Sequence, residues 1–233
     1  MNKKKIGICL SGGVKFPEKS LRSVQALSEK YDIKVFGHTW KINNSETFQN
    51  NSWSGIKSTT EKPSDSLSKI ISECNFETLI IDNFDNKKNV LEELRKSIAF
   101  CISDRTDVGP LSMFYSMCQS NKLKMQYEKE SNSIFDIVIR MRYDSEIVDI
   151  NQFDFETEPD VLYIPEGHNW NGVNDQFAYG NSNVMNIYAS LILNLHQHFS
   201  GILYNPEAML KHYLSIAKVN IQRPKMVVKI NNN

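Results

Sequence analysis

Residues 133–147 read Ser-Ile-Phe-Asp-Ile-Val-Ile-Arg-Met-Arg-Tyr-Asp-Ser-Glu-Ile, an apolar run that becomes charged at every second position. The consecutive residues Ile137 to Ile139 predict a strand buried near the centre of a sheet. Side chains of a strand alternate between its faces, so charged residues two positions apart are expected on one face. Four residues have this spacing: Arg140, Arg142, Asp144 and Glu146. Because charges are costly to bury without partners, the pattern predicts a site that holds an anion together with a divalent metal.

The net charge and the short apolar runs argue against a nucleic-acid-binding protein and against a secreted or membrane-spanning one. The chain has 233 residues, 40% hydrophobic and 23% charged, which is typical of an ordinary soluble globular protein. Its formal net charge is zero, whereas non-specific nucleic-acid binding needs clustered positive charge. The apolar run Ile6 to Leu10 is too short for a signal peptide or a membrane span. We therefore expect no nucleic-acid partner, no integral membrane segment and a cytoplasmic location, in the producing cell or in a host.

The cysteines are expected to be reduced thiols. They lie at positions 9, 74, 101 and 118, and none has the close spacing of zinc ligands.

Short apolar runs alternate with helical patterns, which predicts an α/β fold with a largely parallel sheet flanked by helices. Strands are expected at 6–10, 33–36, 77–81, from 137 onward, 161–164, 177–179 and 226–230. Helices are expected from 17 and from 67 onward, and at 90–102, 110–130, 184–195 and 206–217. Residues 41–65 are rich in Asn, Ser, Thr and Lys, so we expect a flexible loop there. Composition shows no sharp break, and a single domain spanning 1–233 is expected.

A glycine pair follows the first predicted strand, in the sequence Ser11-Gly12-Gly13. Glycine lets the backbone approach a phosphate closely, and the N-terminus of a following helix favours the negative charge. Lys15 would add a positive point charge. The same residues also suit a tight turn without any ligand, and the motif is neither a Walker loop nor a full dinucleotide-binding fingerprint.

His38 and Trp40 end the second predicted strand, at the sheet edge where ligands bind in α/β folds. An indole there can stack on a nucleobase, and an imidazole can bond a ribose or a phosphate. The alternative is structural: Trp40 caps the core, and His38 has its hydrogen bonds satisfied within the protein.

Asp144 and Glu146 place two carboxylates two residues apart at a strand end. Carboxylate oxygens in this arrangement suit Mn²⁺ or Mg²⁺ shared with the phosphates of a substrate. Arg140 and Arg142 would then pair with phosphate or hold the carboxylates in place. The alternative is an ion-paired strand on a solvated sheet edge.

Asp175 lies in the polar segment Asn174-Asp175-Gln176, directly before a short aromatic strand. An acidic residue flanked by amides and aromatic rings suits a general base that acts on a hydroxyl group. The segment is also typical of an Asx turn or a helix cap.

Four segments, taken in order, carry a resemblance: Ile-Cys-Leu-Ser-Gly-Gly (8–13), Gly-His-Thr-Trp (37–40), Phe-Asp-Ile-Val-Ile-Arg-Met-Arg-Tyr-Asp (135–144) and Asn-Asp-Gln-Phe-Ala-Tyr-Gly (174–180). The chain resembles small GT-A-like glycosyltransferases of surface or capsular polysaccharide synthesis, found in bacteria and large DNA viruses. The resemblance runs from about Ile6 to Leu195. It implies a single Rossmann-like domain that binds a nucleotide-sugar donor over a mostly parallel sheet.

The resemblance also implies a UDP- or GDP-type donor, a glycan acceptor and Mn²⁺ or Mg²⁺ held by an Asp-x-Asp motif. Asp144-Ser145-Glu146 would be a variant of that motif, with a side chain one methylene longer in the third position. Related chains often carry arginine near the position of Lys15, where lysine keeps the charge but loses the bidentate fork. The residues expected to bind the donor are Ser11, Gly12, Gly13, Lys15, His38, Trp40, Arg140, Arg142 and Asp144.

The expected function is therefore glycosyl transfer assisted by a metal. Asp175 would deprotonate the acceptor hydroxyl if the reaction inverts the anomeric centre. Two alternatives remain open: a nucleotidyltransferase or nucleotide hydrolase on the same fold, and a non-catalytic carbohydrate-binding domain.

Overall fold

A computed structural model describes residues 3–41, 63–98, 101–102, 107–196 and 199–230 of the chain. Its strands are β1 Lys5–Ser11, β2 Asp32–Lys41, β3 Phe76–Asn83, β4 Ile137–Met141, β5 Ser145–Val148, β6 Val161–Tyr163, β7 Phe177–Gly180, β8 Asn220–Gln222 and β9 Val227–Ile230. Its helices are α1 Glu18–Lys30, α2 Pro63–Glu73, α3 Phe84–Ser97, α4 Gly109–Ser131, α5 Ser182–Ala189 and α6 Pro206–Ile216. Short 3-10 helices span Ile150–Gln152 and Leu191–Asn194.

Within the described residues, seven strands form the central sheet, in the order β3-β2-β1-β4-β7-β6-β8. The first four are parallel, β7 runs antiparallel to both of its neighbours, and β6 is parallel to β8. β5 and β9 pair separately as an antiparallel ribbon. The predicted α/β fold with a mostly parallel central sheet is confirmed.

Helices cover both faces of the sheet, because its central strands carry apolar side chains on both sides. On one face, Ile8 of β1 belongs to a hydrophobic cluster that includes Leu27 of α1 and Ile70 of α2. On the other face, Cys9 belongs to a second cluster with Phe114 and other residues of α3 to α6. The sheet thus separates two hydrophobic cores.

Asparagine side chains fix where three of the helices begin, by accepting a hydrogen bond from a free backbone N–H of the first turn. The caps are Asn83 for α3, Asn181 for α5 and Asn205 for α6. Pro206 follows the last of these, at a first-turn position where its missing N–H costs nothing.

β1 and β4 lie side by side at the point where the strand order reverses. From β1 the chain passes through α1 to β2 and then to β3, which lie on one side of β1. It then crosses back through α3 and α4 to β4, on the other side of β1. In open α/β sheets, ligands bind outside the carboxyl ends of the strands at such a point. Because β7 is antiparallel to β4, with Phe177 beside Met141, the segment that precedes β7 lies at the same edge. We refer to this region as the crevice.

The prediction of one strand carrying four alternating charges is wrong, because β4 ends at Met141. A turn, in which the Ser145 N–H donates to the Arg142 carbonyl at 3.3 Å, separates β4 from β5. Arg140 therefore lies in the central sheet, whereas Glu146 lies in the two-stranded ribbon.

Other boundaries differ less from prediction. The helix expected at 184–195 is interrupted at Ser190, where α5 gives way to a 3-10 helix. Of the loop expected at 41–65, residues 42–62 lie outside the described part of the chain, Lys41 ends β2, and the last three residues begin α2. The short strand β8 has no counterpart in the sequence-based expectations.

In the described part of the chain, no helix combines the length and the apolar character needed to cross a membrane. All four cysteines are buried free thiols, as predicted.

Candidate functional site

The glycine pair is anchored to helix α4. Gly12 has a φ of 114°, a conformation that side-chain-bearing residues rarely adopt, and its N–H donates to Ser116 Oγ at 2.7 Å. α1 begins only at Glu18, after a Pro17 cap that makes no side-chain hydrogen bond. The amide of Gly12 is therefore already used, and a helix N-terminus does not follow the pair directly. Phosphate binding by Gly13 stays a prediction.

Arg140 joins the end of β1 to the segment before β7. It is only 2% exposed; its Nε donates to Ser11 Oγ at 2.9 Å, and its Nη1 donates to the Asp175 carbonyl. No carboxylate in the described part of the chain forms an ion pair with this guanidinium, which instead interacts with the buried Tyr188 hydroxyl. Arg140 thus fixes the relative position of two walls of the crevice and leaves a positive charge beneath them.

Arg142 and Asp144 form a bidentate pair at the end of β4. Nε and Nη2 of the arginine donate to the two carboxylate oxygens at 2.8 and 2.7 Å. The Arg142 side chain is 36% exposed, whereas that of Asp144 is buried. The Asp144 carboxylate therefore orients the Arg142 guanidinium. The N–H groups of Arg142 Nη1 form no hydrogen bond with any described residue.

Lys15 and Asp175 both interact electrostatically with the pair formed by Arg142 and Asp144. Burial lowers the pKa of Lys15; the Asp144 carboxylate opposes this effect and the Arg142 charge adds to it. Burial also acts to lower the pKa of Arg142, but the Asp144 carboxylate, with a smaller contribution from Asp175, raises it overall. The charges of Lys15, Arg142, Asp144 and Asp175 thus interact within the crevice.

Glu146 does not join them. Its two carboxylate oxygens accept hydrogen bonds from Nε and Nη2 of Arg22 on α1, each at 2.9 Å. This hydrogen-bonded pairing is the main reason why the pKa of Glu146 is lowered.

The residues present do not fit the predicted metal site. Asp144 and Glu146 are held by two different guanidinium forks, which occupy the oxygens that a cation would need. The described residues contain no group of three Asp, Glu, His or Cys side chains that could coordinate a metal. The turn after Met141 is the physical reason, because it directs the two carboxylates to different partners.

Asp175 lies in a tight polar turn, one of the two alternatives noted from the sequence. The Asn174 Oδ1 accepts from the Gln176 N–H at 2.8 Å, and the Asn174 N–H donates to Asn169 Oδ1 at 3.2 Å. In the described part of the chain, the Asp175 carboxylate has no hydrogen-bond partner. The turn therefore holds the backbone while leaving a buried carboxylate able to accept a proton, so the Asx turn and the base are compatible roles.

His38 and Trp40 belong to a buried cluster. His38 is fully buried, with Nδ1 2.8 Å from Ser116 Oγ and Nε2 3.3 Å from Asp82 Oδ2. Trp40 packs against the rings of Phe84, His38 and Tyr115, and is 8% exposed. This geometry favours the structural alternative over direct contact with a nucleotide.

Three residues of this cluster were missed from the sequence: Asp82, Tyr115 and Ser116. The Tyr115 hydroxyl donates to Asp82 Oδ2 at 3.0 Å, and Ser116 Oγ links His38 to the Gly12 amide. Asp82 lies near the carboxyl end of β3, so the rule that singled out the other strand ends could have found it. The two α4 residues lie in no motif, and nothing in the sequence marks them.

We expect the free energy of unfolding to fall as the pH drops below about 6.5, in part because of His38. Burial lowers the pKa of His38, although the hydrogen bond with Asp82 opposes the shift. The unfolded chain, at the ordinary pKa of 6.5, then binds a proton at a higher pH than the native protein does. Stability is present above that pH and is lost as the pH falls towards the native pKa.

Urea denaturation of the wild type and of His38→Asn, between roughly pH 5 and 8, measures this effect. The variant should show the shallower pH dependence. His168→Asn is the control, because His168 is exposed and asparagine tolerates its left-handed φ of 53°. Identical pH dependence in the wild type and His38→Asn would contradict the prediction.

No protein-family model matches the chain, and no curated protein sequence matches it. Among solved structures, the chain is similar to mouse xyloside xylosyltransferase 1 in its apo form, with 10% sequence identity and a TM-score of 0.41. The alignment covers 96% of this chain and 85% of the mouse chain. A similarity at this level assigns neither an activity nor a substrate.

Proposed function

We propose that this chain is a glycosyltransferase that moves a sugar from a nucleoside diphosphate donor to a hydroxyl group of a glycan. One observation carries the proposal: the crevice between β1 and β4 holds Lys15 and Arg142 together with Asp175, whose carboxylate accepts no hydrogen bond from a described residue. Cationic side chains suit the charge that develops on a departing diphosphate, and a nearby carboxylate suits removal of the acceptor proton. The resemblance noted from the sequence supports the same class.

The proposed roles follow from position. The donor diphosphate lies across the carboxyl ends of β1 and β4, near Gly13, Lys15 and Arg142. Asp175 receives the proton of the acceptor hydroxyl in an inverting reaction. His38 and Trp40 act indirectly, because His38 holds Ser116 and Ser116 holds the Gly12 amide.

A donor should raise the melting temperature of the protein. At a free concentration of about 100 times its Kd, a ligand that binds only the native state adds about 2.7 kcal/mol of stability. For a chain of this size, that corresponds to a rise of roughly 5–10 °C. A thermal-shift screen of UDP- and GDP-linked sugars measures the rise, and the free sugars serve as controls. No shift with any nucleotide sugar would count against the proposal.

Product analysis then separates the proposal from the two alternatives. A glycosyltransferase releases the nucleoside diphosphate and leaves the sugar on the acceptor. Release of pyrophosphate or of a nucleoside monophosphate, without sugar transfer, would favour a nucleotidyltransferase or a nucleotide hydrolase. Glycan binding without any turnover of nucleotide sugars would favour a carbohydrate-binding domain. Synthesis of a surface or capsular polysaccharide is the process in which we propose that the enzyme acts.

A further inference from the structure

We infer that the donor diphosphate is bound in the crevice by cationic side chains, without a bridging divalent metal. The inference rests on the proposed function and concerns the same site. It departs from the metal-assisted mechanism that the sequence predicted.

The charge balance of the crevice is the first argument. Among the described residues, three cations lie there, Lys15, Arg140 and Arg142, with two carboxylates, Asp144 and Asp175. The net charge of these five side chains is therefore one positive charge. A divalent cation is bound by carboxylate oxygens, so a site for it needs an excess of negative charge. An excess of positive charge favours an anion instead.

The placement of hydrogen-bond donors is the second argument. Asp144 accepts from Nε and Nη2 of Arg142 and so fixes the plane of the guanidinium. Nη1 of this partly exposed arginine has no partner in the described part of the chain and can donate to a phosphate oxygen. Asp144 is therefore a positioning residue for Arg142.

The third argument concerns the buried charge of Arg140. No carboxylate of the described residues forms an ion pair with it, and its partners Ser11, Tyr188 and the Asp175 carbonyl are all neutral. A buried guanidinium in this state is costly to the folded protein. A diphosphate bound over Ser11 would bring a negative charge close to this guanidinium.

The chemical step is complete without a metal. The acceptor oxygen forms a bond to the anomeric carbon, and its proton passes to the Asp175 carboxylate. The bond between the anomeric carbon and the diphosphate oxygen breaks, and its electron pair leaves with the nucleoside diphosphate. Lys15 and Arg142 stabilise the charge that grows on that oxygen.

Calorimetric titration with UDP and GDP, in EDTA and in MnCl₂, tests the inference. We expect the better-bound nucleotide to have the same Kd in both buffers, within about twofold, since no metal bridges it to the protein. Asp144→Asn should bind that nucleotide about three- to tenfold more tightly, because the amide oxygen can still accept a hydrogen bond from Arg142 while the negative charge beside the anion is removed. Lys15→Gln should bind it about tenfold more weakly.

Glu146→Gln is the control variant, because Glu146 is paired with Arg22 outside the crevice, and its Kd should match the wild type. Thermal melting checks that each variant folds. If Asp144→Asn is unstable, the double variant Arg142→Gln/Asp144→Asn replaces it and should bind the nucleotide more weakly than the wild type.

The outcomes distinguish the inference from the proposed function. Binding that requires MnCl₂, and that Asp144→Asn and Glu146→Gln both abolish, would overturn the metal-free site and leave glycosyl transfer intact. Absence of binding for UDP, GDP and their sugar conjugates in both buffers would overturn the donor site itself. Equal affinity in EDTA and MnCl₂, together with tighter binding by Asp144→Asn, supports the inference.

Discussion

We expect Asp175→Asn to lower kcat for sugar transfer by about 10²- to 10⁴-fold, the range typical of a lost general base, and to leave the Kd of the donor within about threefold. The substitution keeps the size of the side chain but removes the carboxylate that we propose as the proton acceptor. The backbone of the turn should persist, because Arg140 bonds the residue 175 carbonyl and Asn174 bonds the Gln176 N–H. Steady-state kinetics and calorimetry on the same preparation measure the two quantities.

Asp136→Asn provides the matched control for this experiment. Asp136 precedes β4 at the opposite edge of the sheet, where its carboxylate accepts a hydrogen bond from the Lys5 N–H. The same loss of one carboxylate oxygen there should leave kcat unchanged. Wild-type turnover in Asp175→Asn would show that another group takes the proton. A loss of donor affinity equal to the loss of kcat would assign Asp175 to binding instead.

The sequence predicted only part of the convergence of residues at the crevice. Ser11 and Arg140 each follow or belong to an apolar run that marks a central strand. In a mostly parallel sheet, the carboxyl ends of such strands meet at one edge, so these two residues were expected there. Asp175 precedes its strand, and it lies at the same edge only because β7 runs antiparallel to β4, which the periodicity of the sequence did not predict. Arg140 donates hydrogen bonds both to Ser11 and to the Asp175 carbonyl.

The partners of the charged residues could not be predicted in the same way. Alternation holds only while a strand continues, and no glycine or proline between Met141 and Ser145 marks the turn. The partner of Glu146 is Arg22, which is 124 residues away in sequence and on another element. Pairings of that kind depend on how α1 packs against β5, which local patterns do not encode.

Helix α4 shows a second limit of sequence reasoning. Its polar residues Ser116, Ser120 and Lys124 are buried, although polar positions of a helix usually face solvent. They are covered because α4 lies on the sheet and α5 packs against it, whereas the exposed residues of α4 all lie from Lys122 onward. The charged end of α4, which its sequence suggests is solvated, therefore contains the most buried lysine network in the described part of the chain.

Lys124→Met should lower the free energy of unfolding by about 3–5 kcal/mol, the range found when one partner of a buried ion pair is removed. The Lys124 ammonium is fully buried and donates to Glu128 Oε2 at 2.9 Å, to Asn186 Oδ1 at 2.8 Å and to Ser182 Oγ. Glu128 also accepts from the Phe135 N–H, next to β4. Methionine fills the space but leaves the Glu128 carboxylate without its cation. Urea denaturation, with the wild-type m-value as reference, measures the change.

Two further variants make this prediction specific to the buried pair. Lys96→Met removes a lysine from an exposed ion pair with Glu93 and should leave stability unchanged within error. The double variant Lys124→Met/Glu128→Gln removes both charges and should recover more than half of the loss, because no buried charge is then left without a partner. Equal stability of Lys124→Met and Lys96→Met would show that the network contributes little. A double variant no more stable than Lys124→Met would show that the hydrogen bonds of Glu128, rather than its charge, hold α4 to α5.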